Sequence, residues 1–299
     1  MQVRQERPED LQRRVFLETA LLFTVPDGDG TRAIHTPLVQ ARIGDTTTLL
    51  IIDSGATEPV FTAALARAIG AKLQPAEPGT DHAGQSVPSW SMTENAILNL
   101  GGRALTLDSP VVIEGPAPFE RWGIGGFLSP QALHPTATVV IDLRSNLLSL
   151  VEGALEDISR EVSARHADLS GLSLPRVDVE GDALRLVIVE AALKPSAAVR
   201  LMLNTGGNEA EIAPYAMSGP LDGPEGVRGR GLSGAPVMGL TRSDQRLTIG
   251  GASIALPEVT VREQSAAYDA QLGMAALRDT VLVVSPRRDL PVGWWIPAR

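Results

Sequence analysis

Leu49, Leu50, Ile51 and Ile52 are four consecutive apolar residues, and Asp53-Ser54-Gly55 follows them directly. Such a run forms a buried strand, so the carboxylate stands at the strand's end. Gly55 lets the chain turn sharply and brings backbone N–H groups toward the carboxylate. Ser54 supplies a hydroxyl able to hydrogen-bond a partner loop. A carboxylate held this way at the floor of a cleft can act as a general base on water. The tripeptide Asp-[Ser/Thr]-Gly alone is weak evidence, arising by chance in roughly one chain of this size in several. An ordinary Asx-turn beginning at Asp53 is the plain alternative.

The context is stronger than the tripeptide, because the pattern occurs twice. Residues 46–70 read TTTLLIIDSGATEPVFTAALARAIG, and residues 198–217 read AVRLMLNTGGNEAEIAPYAM. Each has an apolar run, then Asp or Asn, then Ser or Thr, then Gly, and Asp53 and Asn204 lie 151 residues apart. Downstream, each copy has a glycine-punctuated hairpin, 79–92 and 226–239, and then two strands joined at Gly101-Gly102 or Gly250-Gly251. An apolar–Gly signal opening a short helix comes next, at Gly126 in the first copy and Gly273 in the second, and another β run follows each. One β-rich lobe written twice is the expectation.

The elements around these motifs divide the chain. Residues 1–14 carry seven charges and no apolar stretch, which reads as a charged arm and not a secretory signal; removal of a leader ahead of Met1 stays open. Residues 15–152 make the first lobe and 173–299 the second. Strands are expected at 15–24, 34–43 and 184–193. The linker 153–172 reads as helical, with Leu155, Ile158 and Val162 on one face. Trp294 and Trp295 are expected to pack in a core.

At these residues the chain resembles the pepsin-like and retroviral-type (retropepsin-like) aspartic proteases. The resemblance rests on Asp53-Ser54-Gly55-Ala56-Thr57, Ile124-Gly125-Gly126 and VVIDLRSNLLSL in the first half, and on Asn204-Thr205-Gly206-Gly207 and Leu272-Gly273 in the second. It spans about residues 15 to 285 and suggests a fused, bacterial-style single chain. It implies an all-β, bilobal acid-protease fold, with two β-barrel-like lobes around a central cleft. The two triplet loops would meet at a pseudo-two-fold axis, with Ser54, Gly55, Thr205, Gly206, Gly126 and Gly273 supporting them. Two carboxylates would share one proton there. Flaps would clamp an extended polypeptide, with Gly84, Trp90, Gly231, Ser233 and Gly234 as flap residues, although Trp90 serves equally as plain packing. The resemblance implies no cofactor and no metal, and a monomer, since each lobe already has an internal mate.

Asn204 departs from the family pattern. An amide neither releases nor takes a proton near neutral pH, so the shared proton is lost. Donation from its NH₂ to Asp53 would keep the Asp53 pKa from rising as it does in a carboxylate pair. Three readings stay open: a relic that grips peptides without cutting, a protease changed to Asn to trap an inactive form, or a weak peptidase working through Asp53. The nearest spare carboxylates, Asp81, Glu209 and Glu211, read as solvated loop charges, and Asp142 reads as structural, closing a turn.

Composition narrows the classes further. The 299-residue chain is 43% apolar and 20% charged, with 29 Gly and 22 Pro, which favours many short elements and excludes a mainly disordered chain. It contains no Cys, which excludes disulfides, Cys-ligated metal and thiol chemistry, and leaves cytoplasmic and periplasmic or secreted locations both open. The net charge is −9, with Arg far outnumbering Lys72 and Lys194, and no basic stripe points to nucleic acid. The four His lack metal-ligand spacing, and no apolar run suits a membrane span. The Gly-rich runs lack a P-loop ending, and Gly231-Leu232-Ser233-Gly234 is not a Gly-x-Ser-x-Gly elbow.

Overall fold

The computed structural model describes residues 14–181, 185–193, 197–217 and 225–298. The charged arm lies outside these residues apart from Arg14. Among the described residues the chain forms a ten-stranded sheet and a two-stranded one from its first half, a seven-stranded sheet from its second half, and a six-stranded sheet to which both contribute.

The two halves repeat one construction. In the first, strand Thr46–Ile52 leads into Asp53 and the chain returns as Val60–Thr62. Strand Ile124–Leu128 threads between these two, parallel to the former and antiparallel to the latter. In the second, Ala197–Leu203 leads into Asn204, Glu211–Ile212 returns, and Ala270–Leu272 threads between them in the same senses. The Asp53 N–H donates to Leu128 O and the Asn204 N–H to Leu272 O, both at 2.9 Å. That register makes Leu128 the counterpart of Leu272, Phe127 of Gln271 and Val60 of Glu211. Pairing of Ile188–Leu193 with Pro236–Ile249 closes the second-half sheet on itself.

The six-stranded sheet places Val15–Ala20, Leu147–Val151 and Thr138–Asp142 beside Val281–Val284, Val292–Pro297 and Leu169–Leu174. The halves join where Val139 to Asp142 pair with Val284 to Val281. Helix Leu155–Arg165 lies on this sheet and buries Leu155, Ile158 and Val162 against Val140, Val283 and Trp295. His166, buried at the helix end, bonds Asp142 Oδ2 through Nε2 at 2.8 Å, and Asp142 Oδ1 accepts from Ser145 N. Asp142 thus closes a turn and ties the helix down. Trp294 is fully buried and Trp295 nearly so.

Three sequence expectations change. The linker is helical only to Arg165, because residues 169–172 already belong to the strand that mirrors Val15–Ala20. The strand expected at 184–193 begins at Ile188, and residue 184 lies outside the described residues. Gly126 does not open a helix. It sits inside strand Ile124–Leu128 at a register shift, with φ +150°, and Ser129 is the true counterpart of Gly273. Any Cβ at Gly126 would come 2.0 Å from Val60 O. Gly126→Ala is therefore expected to cost about 3 kcal/mol or more in chemical denaturation. Gly102→Ala, at φ +78° with open space around it, is expected to cost about 1 kcal/mol.

Candidate active site

The triplet loops of the two halves meet and exchange hydrogen bonds through their hydroxyls. Ser54 Oγ donates to Leu203 O (2.6 Å) and accepts from Thr205 N (2.9 Å). Thr205 Oγ1 donates to Ile52 O (2.7 Å) and accepts from Ser54 N (3.0 Å). Both residues are fully buried, so each hydroxyl satisfies a strand-end carbonyl and a loop N–H that water does not reach.

The glycines bring the acid and the amide to the same axis. A Cβ on Gly206 would lie 2.2 Å from Asp53 Cγ, and one on Gly55 would lie 2.6 Å from Asn204 Oδ1. Each side chain therefore rests on the glycine of the opposite loop, where only glycine fits. Gly55 N donates to Asp53 Oδ1 (2.8 Å), and Gly206 N and Gly207 N donate to Asn204 Oδ1 (2.9 and 3.1 Å). With its oxygen so engaged, Asn204 turns its Nδ2 to Gln271 Oε1 at 3.2 Å.

This arrangement changes one expectation. Burial pushes the Asp53 carboxyl up to about 6 from 3.8, although the N–H groups of Gly55, Gly206 and Ala56 and the nearby His82 pull the other way. The rise comes from desolvation, with no second carboxylate needed. The Asn204 NH₂, which was expected to hold the value down, is spent on Gln271.

Two hairpin tips, one from each half, meet each other. Gly79–Thr80 and Ser86–Val87 flank the first, and Glu225–Arg230 and Pro236–Ile249 flank the second. The tips are counterparts, since Asp81 and Gly231 each donate N–H to the carbonyl four residues on, and Gly84 (φ +75°) and Gly234 (φ +82°) occupy equal places. They touch across the cleft. Asp81 Oδ2 accepts from Ser233 N (2.9 Å) and Ser233 Oγ (2.6 Å), and a Cβ on Gly231 would lie 2.1 Å from that oxygen. Burial raises the Asp81 pKa, but the Ser233, Gln85 and Ala83 donors outweigh it and hold the carboxyl below its ordinary value. Trp90 is not at the tip: it pairs with Pro75 and Val112 in the main sheet and packs on the core.

The three spare carboxylates are not solvated loop charges. Asp81 bridges the tips, and Glu209 Oε2 accepts from Thr260 Oγ1 at 2.6 Å. Glu211, only 4% exposed, meets His82 Nε2 through Oε1 (2.8 Å) and Arg262 Nη1 through Oε2 (3.0 Å). Its burial raises the pKa, and His82, Arg262 and Gln264 bring it below the ordinary value. Sequence reasoning also missed Gln131, whose Nε2 donates to Ser54 O and Ala56 O and braces the Asp53 loop from behind. Only its place, two residues past Ser129, hinted at that role. Gln271 carried a clearer signal, since it precedes Leu272-Gly273.

No family model matches the chain, and no curated protein matches it. Among solved structures it is similar to an aspartic proteinase from Irpex lacteus, at 12% identity and a TM-score of 0.52, over 94% of this chain and 97% of that one. The likeness shows the fold, an all-β bilobal aspartic-proteinase fold. Among the described residues no helix is long and apolar enough to cross a membrane.

Asp53 is expected to titrate near pH 6 when its ¹³Cγ shift is followed by NMR. Its folded pKa exceeds its unfolded one, so its contribution to stability is full below about pH 4 and is lost as pH rises through 6. Asp53→Asn should remove that dependence from the stability curve between pH 4 and 7.

Proposed function

We propose that this protein grips an extended polypeptide between its lobes, beneath both hairpins, with Asp53 as the one carboxylate able to activate water. The observation that carries this reading is the reciprocal seating of Asp53 on Gly206 and of Asn204 on Gly55. It supports a two-fold site with a base on one side and an amide on the other. The ionised carboxylate can take a proton from a water, whose oxygen attacks a peptide carbonyl. The carbonyl oxygen then needs a proton that a second carboxyl would give and Asn204 lacks. Loss of that donor costs on the order of 10²–10⁴ in rate, so gripping outlasts cutting, and hydrolysis is slow or absent.

The Asn204–Gln271 contact gives the Asn204 amide a partner within the site. The two halves of the chain each supply one triplet loop, so a second chain is not required.

Asn204→Asp is expected to raise cleavage of a mixed peptide library at acid pH by about 10²-fold or more. Asp53→Ala should abolish any cleavage while leaving peptide binding, read by fluorescence anisotropy, within a few-fold. A folded Asn204→Asp protein that neither binds nor cuts peptides would overturn this reading.

A further inference from the structure

The cleft is two-fold in its backbone and unlike in its two walls. At counterpart positions of the returning and threaded strands, the first half pairs Val60 with Phe127, and the second half pairs Glu211 with Gln271. The hairpin tips carry the same contrast. Leu232, from the second hairpin, crosses to pack on the first-half apolar cluster that includes Ile51, Val87, Ile113 and Phe127. His82, its counterpart on the first hairpin, crosses to Glu211. One wall is thus capped by an aliphatic group and the other by a hydrogen-bonding ring.

The second wall carries a hydrogen-bonded cluster built around Glu211. Glu211 Oε1 faces His82, and Oε2 is held by Arg262 and Gln264. Gln264 Nε2 donates to both Glu211 Oε2 and Arg262 O, which fixes its amide and leaves Oε1 buried and without a hydrogen-bond partner among the described residues. A buried acceptor left unpaired is costly and marks a place where a donor is wanted. Arg262 also donates through Nη2 to His82 O at 2.7 Å. Its cation offsets the Glu211 charge, and the acceptor left unpaired is Gln264 Oε1, so the wall asks for a hydrogen-bond donor, whereas an acid would set acceptor against acceptor.

Resting on the peptide-gripping reading above, we propose that Glu211 makes the second-lobe wall selective for a hydrogen-bond-donating peptide side chain, while the first-lobe wall takes an apolar one. A symmetric cleft would accept a peptide in either direction. Unlike walls hold it in one, because reversal would set an aliphatic group against the buried Glu211–Arg262–Gln264 cluster and leave the Gln264 Oε1 acceptor unpaired.

The test measures binding of fluorescein-labelled positional-scanning octapeptide pools by anisotropy. At one position, pools carrying Lys, His or Gln are expected to bind about tenfold tighter than Val or Leu pools, with Asp and Glu pools weakest; at another, Val and Leu lead. Glu211→Val, which copies Val60, should turn the first preference toward apolar side chains. His82→Ala, at an exposed site that the fold tolerates, frees Oε1 and should tighten the donor pools alone. Apolar preference at every position, an unchanged donor preference in folded Glu211→Val, or an equal shift of all pools in His82→Ala would overturn the proposal. If no pool binds, the peptide-gripping reading falls and this inference falls with it.

Discussion

Four hydrogen bonds between Ser54 and Thr205 and their opposing loops set the geometry of the whole site. They are buried, so neither hydroxyl can trade its partner for water. Loss of one hydroxyl leaves a carbonyl and an N–H unpaired, at about 1–3 kcal/mol each. Bond directions also matter, because every bond runs from one half to the other. They fix the separation of the strand ends, which fixes where Asp53 and Asn204 stand. Gly55 and Gly206 then complete the approach by having no side chain to block it.

A symmetric frame holding unlike side chains is the main physical theme. Backbone bonds repeat from half to half: Asp53 N to Leu128 O against Asn204 N to Leu272 O, and Asp81 to Gln85 against Gly231 to Ala235. The side chains do not repeat. At counterpart positions Asp53 is matched by Asn204, Phe127 by Gln271, Val60 by Glu211 and His82 by Leu232. The frame sets positions, and the substitutions set charge. Desolvation alone raises the Asp53 pKa, so a proton near pH 6 does not require a carboxylate neighbour.

Much of this was legible where the signal is local. An apolar run followed by Asp-Ser-Gly is a strand and a turn within nine residues, and its echo at Asn204 needed only comparison along the chain. Leu155, Ile158 and Val162 announced a helix face through their spacing. What stayed hidden depends on distant partners. Glu211 looks like a loop charge until His82, 129 residues away, closes on it. Gly126 outshone Ser129 as the counterpart of Gly273, because the bulge that shifts the register leaves no mark of its own. Gln131 and Gln271 are polar residues whose acceptors lie on other strands. The joining of Thr138–Asp142 to Val281–Val284 was equally silent, since runs of Val and Ile suit many neighbours.

That last pairing bears on how the molecule is made. During synthesis, Thr138–Asp142 is complete well before its neighbour Val281–Val284 leaves the ribosome. Until then one side of the strand offers bare N–H and C=O groups among apolar side chains, an open edge that invites pairing with other nascent chains. The late strand Val281–Val284 thus covers an edge that the first half leaves open, and a product truncated before it keeps that edge bare.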